Sequence, residues 1–241
     1  PECDGKLRAA DVKAYLEAFY ADASYTHMVF PGMVFIAHPS ELGTLYSLAE
    51  LEELSALCRR YQIPLYLDGA RLAYALAAPG TDVTLADIAR LTDAFYIGGT
   101  KCGALCGEAV VFPRVGMPRH FLTHAKQHGA LLAKGRLLGV QFDTLFTDDL
   151  YGEVGRVAIA AADELRRILR EAGCTFFRES PTNQQFVVLE NAQVEALAER
   201  IRFSTWEKLG DGRTVIRLVT SWSTTPDDLA ALEAALHEVM Q

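Results

Sequence analysis

The run Leu67-Asp68-Gly69-Ala70-Arg71-Leu72 decides how this chain folds, together with the run Gly98-Gly99-Thr100-Lys101 further along. Each run directly follows a short apolar segment that is typical of a buried strand. In an open α/β sheet, ligands gather outside the carboxyl ends of the strands. The sequence therefore predicts that the carboxylate of Asp68 and the amine of Lys101 lie at the same edge of a parallel sheet.

A carboxylate and a lysine in this arrangement suit the chemistry of pyridoxal phosphate. A lysine amine holds the aldehyde of that cofactor as a Schiff base, and a carboxylate keeps the pyridinium nitrogen protonated so that the ring accepts electrons. Asp-Gly is also a common turn dipeptide, and a single lysine is usually a solvated charge. The small residues on both sides of Lys101 leave space for a ring, so the two motifs together favour the cofactor.

The composition restricts the classes of protein to which this chain can belong. The chain has 241 residues, 50% of them hydrophobic and 22% charged, as in an ordinary globular protein. The net charge of −8 argues against a nucleic-acid partner, and no apolar run approaches the roughly 18 residues of a membrane span. Five cysteines, an odd number, fit a reducing cytoplasm. Cys102 and Cys106 lack a second ligand pair at metal-binding spacing, so a metal site is disfavoured.

The first part of the chain alternates strands and helices, which is typical of a parallel sheet. Strands are predicted over 34–37, 64–67 and 94–97, and residues 104–112 are expected to return as an antiparallel strand. The first strand is apolar throughout, as when both faces of a sheet are covered. Helices are predicted over 11–21, 48–61 and 84–91, the second of them with a capping box formed by Ser47 and Glu50.

The pattern changes in the second part of the chain. Residues 121–172 have a helical pattern with a break near 148–152. After that, strands are predicted over 174–177, 185–189, 203–207 and 214–220, with helices over 193–202 and 226–240. We therefore expect the C-terminal part of a large domain over residues 1–150 and a small α+β domain with a mainly antiparallel sheet over residues 151–241.

The motifs resemble those of the threonine aldolase and β-eliminating lyase family of fold-type-I pyridoxal-phosphate enzymes. The resemblance rests on four runs in the family's order: DGAR at 68–71, GGTK at 98–101, SPTN at 180–183 and IRLVTS at 216–221. It implies an α/β fold with a mostly parallel sheet, of the aspartate aminotransferase type, followed by a small C-terminal α+β domain.

The resemblance also implies roles for individual residues. Lys101 would form the Schiff base with pyridoxal 5′-phosphate, next to Thr100 as a further cofactor contact. Asp68 would bond the ring nitrogen. Arg71 would lie beside the ring and help to hold the substrate carboxylate. Arg217 would grip the same carboxylate with its fork of donors, a geometry that suits a planar anion.

Two further residues carry a weaker expectation. His38 lies where related folds place a contact to the phenolic oxygen of the cofactor, although a histidine at a strand end can also be purely structural. Lys126 lies where the family places a basic residue near the cofactor phosphate, reached across a subunit interface, and its alternative is a solvated helical charge. Three histidines at helical spacing suggest an exposed helix face more than a metal site: His120, His124 and His128.

The N-terminal part of the chain departs from the family's pattern. Fold-type-I enzymes bind the cofactor phosphate with a Gly-Thr turn at a helix N-terminus and stack a side chain on the ring. No counterpart of either feature occurs here, and the chain begins at Pro1 rather than at a methionine. We expect that a segment carrying them precedes Pro1, together with the residue that takes the β-hydroxyl proton.

The expected activity is that of a lyase that cleaves a β-hydroxy amino acid such as threonine to glycine and an aldehyde. The alternatives are β-elimination or transamination on the same scaffold, a Schiff-base aldolase that uses Lys101 without cofactor, and an inactive truncated chain that dimerises without cofactor. The cysteine content indicates a cytoplasmic protein, and the resemblance implies a homodimer or homotetramer whose site is shared between subunits. The expected partner is a small amino acid, with no nucleic acid and no membrane.

Overall fold

Two four-stranded sheets organise the chain, whose computed structural model describes residues 4–113 and 116–240. The first sheet has the order β1-β2-β3-β4. Its strands are β1 (Val34–Ala37), β2 (Leu65–Asp68), β3 (Ala94–Gly98) and β4 (Glu108–Val111). The first three strands are parallel and β4 is antiparallel to β3. The predicted strands and the antiparallel return of the fourth are confirmed.

Four helices accompany this sheet: α1 (Ala9–Ala21), α2 (Leu48–Tyr61), α3 (Leu72–Ala77) and α4 (Leu85–Leu91). The capping box predicted from Ser47 and Glu50 is present at the start of α2. Thr84 and Asp87 form a second capping box at the start of α4. Helix α3 was not predicted, because six residues are too few to establish a helical period.

The two faces of the first sheet differ in the described residues. Leu65, Leu67 and Phe95 are buried in the core on one face. Phe35 lies on the other face with 53% of its surface exposed, and its ring stacks on Tyr66 at 5.5 Å. The expectation that both faces of β1 are covered is therefore wrong for the part of the chain that the structure describes, because Phe35 alternates with buried neighbours.

Three helices link the two sheets: α5 (Phe121–Gln127), α6 (Arg136–Leu145) and α7 (Leu150–Glu171). Helix α5 is too short to carry the predicted three-histidine face, since His120 and His128 flank it. Helix α7 packs closely on α3, and a Cβ on Gly155 would lie 2.4 Å from the carbonyl oxygen of Ala73. Among the described helices, none has the length and apolar character needed to cross a membrane.

The second sheet is antiparallel throughout and has the order β5-β6-β8-β7. Its elements are β5 (Thr175–Arg178), β6 (Gln184–Glu190), α8 (Asn191–Ala198), β7 (Ser204–Lys208), β8 (Arg213–Val219) and α9 (Pro226–Val239). One face packs on α7 and α9 through a core that includes Leu165, Val187 and Ile216. The predicted antiparallel α+β layer is confirmed. Its boundary at residue 150 stays a prediction.

Polar contacts join the two layers. Ser180 Oγ donates to the carbonyl of Gly43 at 3.1 Å, and Thr220 Oγ1 donates to the carbonyl of Ala158 at 2.8 Å. A Cβ on Gly43 would lie 2.2 Å from Ser180 Oγ, so this contact also requires a glycine. The edge of the second sheet is thereby held against the loop that follows β1.

We expect Gly69→Ala to destabilise the chain. A Cβ at this position would lie 2.0 Å from the carbonyl oxygen of Tyr96, which is backbone of the neighbouring strand and has little freedom to move. Overpacking of this kind costs roughly 3 kcal/mol of unfolding free energy. Chemical denaturation measures the cost. The control is Gly139→Ala in α6, where a Cβ meets nothing within 4 Å, and an equal loss in both variants would contradict the explanation.

Candidate active site

Asp68 ends β2 at the carboxyl edge of the first sheet. Its backbone carbonyl accepts a hydrogen bond from the His38 amide at 3.0 Å. Its Oδ1 accepts from the amide of Ala70 at 2.9 Å and from the hydroxyl of Tyr96. Burial and the bond to Asp68 raise the pKa of Tyr96, so this hydroxyl stays a donor. Among the described residues, no donor reaches Oδ2 of Asp68, which leaves one carboxylate oxygen for a ligand.

Lys101 follows β3 in a short 3-10 turn, Thr100–Cys102. Its backbone is held by Tyr74, whose buried hydroxyl donates to the Lys101 carbonyl. Partial burial lowers the pKa of the Lys101 amine, and the nearby charge of Arg71 lowers it further, while Asp68 acts in the opposite direction. In the part of the chain that the structure describes, no acceptor lies within hydrogen-bond distance of this amine. A lower pKa increases the fraction of neutral, nucleophilic amine.

Glycines allow the two motifs to meet. The amide of Gly98 donates to the carbonyl of Gly69 at 2.9 Å. A Cβ on Gly98 would lie 2.4 Å from the carbonyl oxygen of Ala70. Any side chain at residue 98 would therefore push the DGAR turn away from the lysine turn. Gly69 and Gly98 are explained by the close approach of backbone atoms, whereas a Cβ on Gly99 would lie 2.8 Å from the Phe142 ring and 3.0 Å from the carbonyl oxygen of Gly107.

A carboxylate fixes the start of the lysine turn. Glu108 on β4 accepts from the amide of Gly99 at 2.5 Å and from Thr100 Oγ1 at 2.9 Å. The antiparallel strand thus supports the segment that carries Lys101. Thr100, predicted as a cofactor contact, donates its hydroxyl to this carboxylate.

A cavity of about 370 Å³ lies between the two sheets. Lys101 and Thr100 line it from the first sheet, and Arg217 lines it from the second. The complete lining is Arg71, Tyr74, Thr100, Lys101, Asn183, Arg217, Val219, Thr220, Ser221 and Trp222. Asp68 lies beyond this lining, but its charge acts on Lys101 and Arg71. The structure therefore brings five of the predicted residues into one region.

The two arginines of the cavity are close enough to repel each other. Burial lowers the pKa of Arg71, Glu41 raises it, and the charge of Arg217 lowers it further. A pair of guanidinium cations at one cavity, with the amine of Lys101 beside them, favours binding of an anion such as a carboxylate.

The guanidinium of Arg217 is held on three sides by the second sheet. It lies 5.6 Å from the centre of the Trp206 ring. Its Nη1 donates to Gln184 Oε1 at 3.3 Å, and its Nη2 donates to Ser204 Oγ at 3.4 Å. Its Nε is buried and has no partner among the described residues. The buried Nε–H donor is therefore left unsatisfied on the residue predicted to bind the substrate carboxylate.

His38 lies outside the cavity lining. It is completely buried, its ring packs near Tyr46, and its Nδ1 accepts from the Tyr46 amide at 3.4 Å. Burial lowers its pKa to about 4, and the charges that act on it are those of Asp82 and Lys6 rather than those of the cavity. The arrangement corresponds to the structural alternative, and the contact predicted with a cofactor oxygen stays a prediction.

Lys126 is exposed on α5 and is not among the described residues that line the cavity. Its predicted role requires a second subunit and stays a prediction.

Several residues of the site were not predicted. Tyr74 lies on α3, the helix that was missed, and its signal was the apolar run directly after Arg71. Tyr96 lies two residues before Gly98, so strand alternation could have placed it on the face of Asp68. Glu41 and Gln184 come from loops or strand ends whose approach to the site depends on the packing of the two layers, and the sequence carries no local signal for it.

The fold is that of the fold-type-I pyridoxal-phosphate enzymes. A single mutant of the aspartate aminotransferase from Thermus thermophilus superimposes with a TM-score of 0.62 at 14% identity, over 90% of this chain and 60% of that chain. The predicted aspartate aminotransferase-type fold is confirmed. At this identity the likeness establishes the fold alone.

The sequence model of the β-eliminating lyase family matches residues 1–202, and the chain belongs to this family. A threonine aldolase structure from Leishmania major is similar at a TM-score of 0.93 and 41% identity, covering 100% of this chain and 69% of that chain. The low specificity L-threonine aldolase of Pseudomonas aeruginosa is 29% identical over 216 residues, which are 89% of this chain and 61% of that relative. The chain thus spans less than two thirds of this relative's length.

The buried imidazole of His38 should make stability depend on pH. Because its pKa is about 4 when folded and 6.5 ordinarily, the unfolded chain binds more protons between these values. Stability is then complete above pH 6.5 and falls as the pH drops towards 4, by roughly 2 kcal/mol between pH 6.5 and 5. His38→Asn keeps an acceptor near the Tyr46 amide and should flatten this dependence, measured by denaturation at several pH values.

The matched control is His27→Asn, which removes an exposed imidazole. It should keep the slope of the unsubstituted chain. A slope that persists in His38→Asn would show that other groups cause it.

Proposed function

We propose that the protein containing this chain is a pyridoxal-phosphate-dependent lyase that cleaves a β-hydroxy amino acid, such as threonine, to glycine and an aldehyde. One observation carries the proposal: Arg71, Lys101 and Arg217 line a single cavity in a chain of the β-eliminating lyase family. The similarity to two proteins named as threonine aldolases supports the substrate class.

The donor set around Lys101 fits pyridoxal phosphate. When bound, this cofactor supplies an electron sink for the negative charge left at Cα as a bond to that carbon breaks. Lys101 is the residue that would hold its aldehyde. Asp68 would accept a hydrogen bond from the ring nitrogen through Oδ2, while Ala70 and Tyr96 hold Oδ1 in place. Thr100 and the Glu108 carboxylate it contacts fix the turn beside it.

The arginines account for recognition of the substrate. Arg71 and Arg217 present two guanidinium groups from different layers, and the buried Nε of Arg217 has no partner among the described residues. A carboxylate accepts paired bonds from such groups. With the carboxylate held there, the amino group of a small amino acid would lie in the same cavity as the Lys101 amine, where Lys101 would hold the cofactor aldehyde.

The proposed protein is a cytoplasmic homodimer or homotetramer with a site shared between subunits. Several large apolar side chains in segment 122–140 are exposed, which is typical of an interface: Leu122, Leu131, Leu132, Leu137 and Val140. Lys126 lies in the same segment, which supports a role towards the cofactor phosphate of a neighbouring subunit. The four described cysteines are free thiols, as in a reducing compartment, and Cys3 lies outside the described residues.

Replacing Lys101 by Ala should abolish the visible absorbance band that pyridoxal phosphate gives when joined to a lysine, since no other described lysine lines the cavity. The control is Lys208→Ala, which removes an exposed lysine of β7. The unsubstituted protein should convert threonine to glycine and an aldehyde. Release of pyruvate or another keto acid would instead favour elimination or transamination. An absorbance band that persists in Lys101→Ala would show that Lys101 does not hold the cofactor.

The assembly has its own test. Light scattering of the purified protein should give a mass at least twice that of one subunit. Leu137→Glu, which places a charge in segment 122–140, should lower that mass, whereas the exposed surface change Glu195→Gln should not. A monomeric mass for the unsubstituted protein would contradict the shared site.

A further inference from the structure

Gln184 is the first residue of β6 and is completely buried. It pairs with Val219 across the sheet, which makes it a diagonal neighbour of Arg217 on β8. Its Oε1 accepts from Arg217 Nη1 at 3.3 Å. In the described residues, two side chains accept hydrogen bonds from this guanidinium. Gln184 is shielded from solvent, whereas Ser204 is exposed.

The other end of the same amide reaches the first layer. Gln184 Nε2 donates to the backbone carbonyl of Glu41 at 3.4 Å. Glu41 belongs to the loop after β1, and its charge acts on both Arg71 and Lys101. The same loop contacts the second layer at Gly43, which accepts from Ser180 at 3.1 Å. One side chain therefore connects the Arg217 guanidinium to the loop after β1.

We propose that Gln184 is a positioning residue. It holds the Arg217 guanidinium in a fixed position relative to Glu41 in the loop after β1, so that Arg71 and Arg217 bind the same carboxylate. The inference rests on the proposed function for the identity of that carboxylate as the substrate's. A buried amide is stable only when both of its ends are bonded, and here the two ends are bonded to different layers. Binding of the carboxylate is in this way coupled to the contact between the layers.

The test replaces the amide by a side chain of similar shape. In Gln184→Met with bound pyridoxal phosphate, glycine should bind on the order of tenfold more weakly, as for loss of one hydrogen bond to a charged group. Binding is followed by the absorbance change of the cofactor. 2-Aminoethanol lacks the carboxylate, so its affinity should stay the same. Equal weakening of both amines would indicate a general structural defect and overturn the inference.

A matched control lies next in the chain. Gln185 is also buried, but its Nε2 donates to the carbonyls of Ser180 and Thr182, and no described hydrogen bond joins its side chain to Arg217 or Glu41. Gln185→Met should leave the ratio of glycine to 2-aminoethanol affinity unchanged. In an Arg217→Lys background, Gln184→Met should have no further effect on that ratio. A loss of the same size with Arg217 already replaced would show that Gln184 does not act through it.

A readout without cofactor separates this inference from the proposed function. Trp206 lies under the Arg217 guanidinium, and Trp222→Phe leaves it as the single tryptophan of the chain. In that background, Gln184→Met should shift the emission of Trp206, and Gln185→Met should not. If glycine gives no signal with the unsubstituted protein, the proposed function fails, but the emission of Trp206 still tests whether Gln184 positions Arg217. Unchanged emission in Gln184→Met would overturn the positioning role of Gln184.

Should Gln184→Met fail to fold, Gln184→Asn takes its place. It keeps a buried amide that is one methylene too short to reach both partners, so the same selective loss of glycine affinity and the same shift in Trp206 emission are expected. Full glycine affinity in Gln184→Asn would contradict the coupling.

Discussion

The close contact between two backbone turns is the constraint on which the rest of the site depends. The Gly98 amide donates to the Gly69 carbonyl at 2.9 Å, and neither glycine has room for a Cβ. Because this bond joins the residues that follow Asp68 to those that precede Lys101, it fixes the backbone of the acid relative to the backbone of the lysine. The two side chains therefore start from positions set by backbone, which is stiffer than a side-chain contact.

The charged side chains around the cavity determine which kind of ligand it favours. Two arginines and a lysine gather at one place, with Asp68, Glu41 and Glu108 around them. Burial and mutual repulsion work against the charged forms of the cations, so Arg71 and Lys101 have lowered pKa values. The nearby carboxylates act in the opposite direction and offset part of this cost. The arrangement supports the proposed binding of a ligand carboxylate.

The sequence was sufficient for most of the elements and for placing Asp68 and Lys101 after neighbouring strands of one sheet, because those signals are local. Arg217 was found only through the family resemblance. Apolar runs, capping residues and glycine-flanked motifs each reflect the chain within a few residues. His38 shows the limit: a strand end predicts a position at the edge of the sheet, but the direction of the side chain follows from packing against Tyr46. Tyr74 and Gln184 were missed for the same reason, since their partners lie in other elements.

The cavity lies where the two layers meet, so its geometry requires that the layers keep a fixed orientation relative to each other. Lys101 is fixed to the first sheet and Arg217 to the second, so a small rotation of one layer would separate the amine from the Arg217 guanidinium. Helix α7 opposes rotation as a rigid body, because Gly155 lets it lie against α3 while its later turns pack in the second core. The bonds of Ser180 and Gln184 to the loop after β1 act at the other end of the interface. Contacts at two separated points restrict a rotation that either one alone would allow, and the buried polar residues of the SPTNQ segment are explained by that requirement.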